Sequence, residues 1–273
     1  MSMSNLAQRV VTAVALGFII LGSILWAPKV YPMIAGCIFI LGLYEFYALS
    51  EKLPNVAAPK FAGILAGLIC YVIVLGVFYK AFSAVALTAI GPILFSLVLM
   101  ELWNRKNTSF INPLIVLFGI IYLGLPLTLS VILNEISAPV FPVLGIMFIL
   151  IWTNDTFAYF VGKKWGKTPL FERISPKKTW EGTLGGVVFT LVIALLIHEF
   201  SSHGSLLFWG VSGLLISLTS IFGDLFESLL KRTVMVKDSG TLLPGHGGIL
   251  DRFDAALFSI PFFYSWYMTY FYW

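Results

Sequence analysis

Phe110-Ile-Asn-Pro-Leu-Ile-Val-Leu-Phe-Gly-Ile-Ile-Tyr-Leu-Gly-Leu-Pro-Leu-Thr-Leu-Ser-Val-Ile-Leu133 is a run of 24 residues without one charged side chain. As a helix it would be about 36 Å long, enough to cross the ~30 Å hydrocarbon layer of a bilayer. Similar runs lie on both sides of it. Nine spans can be drawn, at 10–27, 30–49, 61–79, 82–100, 110–133, 140–161, 183–197, 206–222 and 253–272. Polar breaks such as Pro28-Lys29, Lys52-Leu-Pro54 and Asn104-Arg105-Lys106-Asn107 separate them. Composition agrees, with 59% of residues hydrophobic, 11% charged and a mean hydropathy of +0.95. Soluble domains are about half apolar and about a quarter charged. The fold class expected is therefore all-α, a polytopic integral membrane protein of about nine transmembrane helices. The first run lacks a small-x-small cleavage site and reads as a retained helix. Cys37 and Cys70 both lie inside apolar runs, as small buried hydrophobes do.

Topology follows from the basic residues. With alternating sides through nine spans, the side of the N-terminus collects 15 of the 17 Lys and Arg, leaving Lys29 and Lys80 opposite. The positive-inside rule makes that side cytoplasmic, with the N-terminus inside and the C-terminus outside. The net charge of +4 then reports topology and anionic headgroups rather than nucleic acid. Residues 1–135 read as a scaffold of about five helices. Residues 136–273 read as the catalytic region, with four helices and two polar loops, 162–181 and 223–252, both on the inner side.

The polar residues fall into four groups. Asp155 follows Asn154 near the inner end of the sixth span, where a carboxylate is costly and marks a candidate site. Lys163-Lys164-Trp165-Gly166-Lys167 precedes Ser175-Pro-Lys177-Lys178-Thr-Trp-Glu181-Gly182. Ser175-Pro176 reads as a turn or helix start. Lysines beside free backbone N–H groups suit phosphate, which points to Lys177 and Lys178, with Lys167 less marked; contact with anionic lipid is the plainer account of Lys163 and Lys164. Gly182, Gly185 and Gly186 would let another helix approach closely. Asp224, Glu227 and Ser228 share one helical face, with Lys231 and Arg232 one turn on. A local salt bridge can account for Glu227 and Lys231, but not for Asp224.

The fourth group is the densest: Lys237-Asp238, then Pro244-Gly-His246-Gly247-Gly248, then Asp251-Arg252-Phe-Asp254. Asp254 can also be a plain helix cap. Asp224 and Asp251 supply carboxylates from two helices, the oxygen ligands a hard cation such as Mg²⁺ takes when it also binds nucleotide phosphates.

Residues Ser228 to Asp254, read as Ser-x-Leu-Lys-Arg, Lys-Asp-x-Gly, Pro-Gly-His-Gly-Gly and Asp-Arg-Phe-Asp, resemble the signature of the phosphatidate cytidylyltransferases, or CDP-diacylglycerol synthases. Ile174 to Gly182 and Asn154-Asp155 are similar to that family too; the first five spans resemble it only as an apolar polytopic part. The resemblance implies CMP transfer from CTP to the membrane lipid phosphatidate, giving CDP-diacylglycerol and pyrophosphate, with Mg²⁺ and room for a second cation. The lipid phosphate would attack the α-phosphorus in line, so catalysis is positioning and charge neutralisation. On that reading Asp224 and Asp251 ligate metal, with Asp254 or Glu227 completing or orienting the set. Lys177, Lys178, Ser228, Arg232, Lys237 and Arg252 meet phosphates, His246 with Gly247 and Gly248 holds pyrophosphate, and Asp238 orients Lys237 or a metal-bound water. The site would face the cytoplasm from the cell membrane. A homodimer through the N-terminal spans fits the composition equally well. A polyprenol-type kinase, a transporter and a scaffold are the competing functions.

Overall fold

A computed structural model describes residues 5–103, 109–137, 141–201, 203–240, 242 and 247–273; the side chains of 5–11 and 13 lie outside it. The chain is helical almost throughout. Helices α1 (Asn5–Leu25), α2 (Tyr31–Ser50) and α3 (Lys60–Phe78) are followed by a 3₁₀ stretch (Ala84–Ala89) leading into α4 (Ile90–Met100). Next come α5 (Ile111–Gly119), a π-helical turn (Ile120–Gly124) and α6 (Leu125–Ser137), then α7 (Val143–Trp165). Strands β1 (Pro169–Phe171) and β2 (Ser175–Thr179) precede α8 (Trp180–Phe200), α9 (Leu206–Thr233) and α10 (Leu250–Tyr272).

Among the described residues, seven helical segments are long and apolar enough to cross a membrane. They coincide with the second to eighth of the nine expected spans. α1 adds an apolar stretch, Val14–Leu25. α10 has the length, at 23 residues, but Asp251, Arg252, Asp254 and its tyrosines dilute its hydropathy. The break at 104–107 and the expected start of the sixth span at Val140 lie outside the described residues. The Ile111–Ser137 segment runs straight through Pro126. Proline cannot donate to the carbonyl four residues back, and the π turn immediately before it loosens the ladder there.

The sheet departs from the all-α expectation. β1 and β2 pair antiparallel, Pro169 opposite Thr179 and Phe171 opposite Ser175, with an irregularity between. Ser175-Pro176 therefore opens a strand, not a helix. Proline holds the residue before it in extended backbone. The helix starts five residues later, at Trp180, because the Thr179 hydroxyl accepts the Gly182 N–H at 3.2 Å and caps it.

The chain divides into two compact units: residues 1–132 with 233–252, and residues 133–232 with 253–273. In the first, α2 is the central element. Phe39, Leu43 and Tyr47 are buried to 1% exposure or less. The Tyr47 hydroxyl donates to the Val116 carbonyl at 2.9 Å, and that of Tyr71 to the Pro32 carbonyl at 2.8 Å. A Cβ at Gly63 would lie 2.8 Å from Val116 and 2.9 Å from Tyr47, so α3 approaches through that glycine. In the second unit α7 lies along α8. A Cβ at Gly182 would stand 2.7 Å from the Ala158 carbonyl, and one at Gly186 2.8 Å from that of Asn154. The glycines that open α8 thus receive α7. Likewise α9 meets α10 at Gly223, where a Cβ would stand 2.5 Å from the Asp254 carbonyl. Further along, Thr219 donates to Ser259 at 2.9 Å.

Candidate active site

The β1–β2 hairpin grows from two local rules. Glu181, in the first turn of α8, accepts from the Lys167 N–H at 3.1 Å and from the Thr168 hydroxyl at 2.9 Å. That staples the approach loop to a helix N-terminus, where negative charge is favoured. Strand alternation then turns Lys177 and Lys178 to opposite sides. Lys177 is exposed and Lys178 half-buried. The Lys178 ammonium is ion-paired with Asp224 on α9. Arg232 donates from Nε to the Ile174 carbonyl at 3.4 Å, a long bond that ties the end of α9 to the hairpin.

Asp155, Asp224 and Asp254 form an acidic neighbourhood in this unit. The charge of Asp224 acts on both Asp155 and Asp254, and Lys178 acts on Asp155. Asp254 accepts its neighbour's N–H, that of Ala255, at 2.7 Å, while Gly223 lets its backbone sit directly on α9. Glu227 is 1% exposed and ion-paired with Lys231 one turn along the same helix. The helix spacing that put Asp224, Glu227 and Ser228 on one face thus separates their surroundings. Asp224 meets a lysine from another element, and Glu227 meets its own helix.

The other half of the signature, Thr233 to Arg252, belongs to the first unit. Lys237 and Asp238 are exposed. Asp251, in the first turn of α10, gathers the turn onto one oxygen. Its Oδ2 accepts the Ser239 N–H at 2.9 Å, the Ser239 hydroxyl at 2.8 Å and the Gly248 N–H at 2.9 Å. Gly247 has φ +83°, a conformation side chains resist, and a Cβ there would stand 2.7 Å from the same oxygen. His246, with Pro244 and Gly245, lies outside the described residues.

Two participants were not anticipated, Ser239 and Glu45. Glu45 sits on α2 at 2% exposure. It accepts the Leu250 N–H at 3.0 Å and lies 3.4 Å from the Ser239 hydroxyl. The signal was present in the sequence: Tyr44-Glu45-Phe46 puts a carboxylate inside an apolar span, the situation that marked Asp155.

Among the described residues, no three His, Cys, Asp or Glu side chains converge as a ready-made metal shell. Mg²⁺ is commonly held by one or two carboxylates together with waters and substrate phosphates, and Asp224, a carboxylate set against a lysine, has the chemistry of such a ligand. The ammonium of Lys178 rests on the carboxylate of Asp224, so that side chain is already placed to receive positive charge.

Polar groups of both signs on helices long and apolar enough to cross a membrane are what a membrane enzyme for phosphate-bearing substrates requires. The chain belongs to the Cytidylyltransferase family, which matches it over residues 7–271. It is 34% identical over 266 residues to the phosphatidate cytidylyltransferase of Bacillus subtilis, covering 96% of this chain and 97% of that one. The enzyme of that name from Thermotoga maritima is 33% identical over 275 residues, 96% of each chain. That from Haemophilus influenzae is 31% identical over 289 residues, 96% and 98% of the two chains.

Proposed function

We propose that this protein is a phosphatidate cytidylyltransferase, moving CMP from CTP onto phosphatidate to give CDP-diacylglycerol and pyrophosphate. Near full-length similarity to relatives of that name supports the reaction. The observation that carries the site assignment is the Lys178–Asp224 pair between hairpin and α9, because it joins the two motifs that the transfer needs.

Asp224 and Asp251 are the proposed metal ligands, with Asp254 and Glu227 as supporting carboxylates and Asp155 as a nearby charge. Mg²⁺, once bound, would neutralise phosphate oxygens and stabilise charge at the reacting phosphorus. Asp224 would hold the cation, and Lys178 beside it would supply positive charge to a substrate phosphate. Lys167, Lys177, Arg232, Lys237 and Arg252 supply further positive charge. Ser228 offers a hydroxyl, Gly247 and Gly248 a close backbone approach for phosphate, and His246 a ring donor for pyrophosphate. Asp238 would orient Lys237 or a metal-bound water. The lipid phosphate is itself the nucleophile, so the chain needs only to align two anions and suppress their repulsion.

Nine spans, an inner N-terminus and an active site facing the cytoplasm complete the proposal, since CTP is a cytoplasmic solute and phosphatidate a bilayer one. The homodimer expectation attaches to the first five spans, and cross-linking in the bilayer tests it. The reaction is tested by incubating purified protein with labelled CTP, phosphatidate and Mg²⁺. Label in the lipid phase with stoichiometric pyrophosphate is expected. Release of CDP instead would identify a kinase and overturn the assignment.

A further inference from the structure

We propose that Glu45 is a positioning residue for the transfer reaction, clamping the turn that presents Asp251. The inference extends the metal role given to Asp251 and rests on it only for its effect on cation binding.

A carboxylate inside an apolar helix is expensive, and the helix cannot supply it with donors because its own backbone is already paired. Glu45 meets its donors at the signature turn. The Leu250 N–H, 3.0 Å away, is one of the free amides at the N-terminus of α10. The Ser239 hydroxyl lies 3.4 Å from Glu45 and 2.8 Å from Asp251. The hydroxyl is thus within reach of both carboxylates, with Asp251 the nearer acceptor. Glu45 therefore touches the turn at the residue that grips Asp251 and at the residue immediately before Asp251.

Sterics point the same way. A Cβ at Gly240 would lie 2.5 Å from Glu45 Oε1, and one at Gly248 would collide with Glu45 Oε2 and with Ser239 Oγ. Neither glycine has a positive φ, so conformation does not demand glycine at either position. The Glu45 carboxylate occupies the space beside Gly240, and shares the space beside Gly248 with the Ser239 hydroxyl, so a side chain about two hundred residues earlier packs directly on two glycines of the signature. Oε1 is buried with no hydrogen-bond partner among the described residues.

The test has two readouts. Hydrogen–deuterium exchange on the metal-free protein in detergent reads the amides of Ser239, Gly248 and Leu250. Initial rates against Mg²⁺ concentration read the cation requirement. Glu45→Ala is expected to speed exchange in peptides 239–250 and leave those of α3 unchanged. Half-saturating Mg²⁺ should rise about tenfold or more, the usual cost of removing a group that orients a metal ligand. Glu45→Gln, which keeps the Leu250 acceptor, should show a smaller change of the same kind, and it carries both readouts if the alanine variant does not accumulate. Unchanged exchange at the turn overturns the clamp whatever the activity. Faster exchange with an unaltered Mg²⁺ requirement overturns the positioning role, since a merely structural residue lowers the amount of working enzyme and not its cation affinity. Asp251→Asn is run beside these variants. An unaltered Mg²⁺ requirement there removes Asp251 from the metal, while the turn amides still judge the clamp directly.

Discussion

Asp224 is the single side chain on which the proposed chemistry leans most. It is a carboxylate on an apolar helix whose observed partner, Lys178, comes from a separate element. Asp224→Asn keeps the shape and removes the charge. Transfer of label to lipid should fall by at least about 100-fold, the scale of losing one well-placed electrostatic stabiliser, while the protein still fractionates with the membrane. Activity near the unsubstituted level would take Asp224 out of the metal role. His203 offers a test away from the chemistry. It lies in the α8–α9 connection, stacked on Phe271 at 4.7 Å and on Phe141 at 5.3 Å. Burial pushes its imidazole down from the ordinary value of 6.5. The fold therefore prefers the neutral ring. Its contribution to stability is complete above pH 6.5 and is lost as pH falls from there through the lower folded value. The melting temperature in detergent should decline across that window, and His203→Phe should flatten the decline. A decline of the same size in the variant would assign it to other groups.

At the scale of elements, the α7–α8 contact is built on absent side chains. Gly182 and Gly186 each face backbone of α7 at distances a Cβ cannot accept. Gly186→Val should destabilise by about 1–3 kcal/mol, the range for overpacking a closed contact, with activity lost as the hairpin moves with α8. A thermal melt no lower than that of the parent would show the helices free to separate. Thr179→Ala is milder. It removes the cap on Gly182 N–H and should cost about 1 kcal/mol, read as a modest fall in melting temperature. Because β2 ends at Thr179, the same change should loosen the placement of Lys178 and raise the KM for CTP more than it lowers kcat.

For the whole molecule the open quantity is the path through the bilayer. If nine spans are crossed with the N-terminus inside, a cysteine placed at Lys80 in a chain lacking Cys37 and Cys70 should react with an impermeant maleimide in intact cells. One placed at Lys177 should react only after lysis. Labelling of both from outside would break the topology and, with it, access of CTP to the site.

Much of this protein was legible in sequence because lipid is a strict solvent. A run such as 110–133 has to be helical where no water can satisfy the backbone, so the seven helical segments from the second to the eighth expected span followed almost from hydropathy alone. Local spacing also carried far: the shared face of Asp224, Glu227 and Ser228, and the glycines that admit a second helix, are consequences of 3.6 residues per turn. Spacing along one helix could not say who else arrives. It did not reveal that Asp224 would be met by Lys178 from a strand, that Ser175–Thr179 would extend rather than coil, or that Glu45 would reach across some two hundred positions to the turn before α10. Those are decisions of tertiary structure. The cost of a buried charge is set by whichever donors packing brings to it, and chain order holds no record of which those will be.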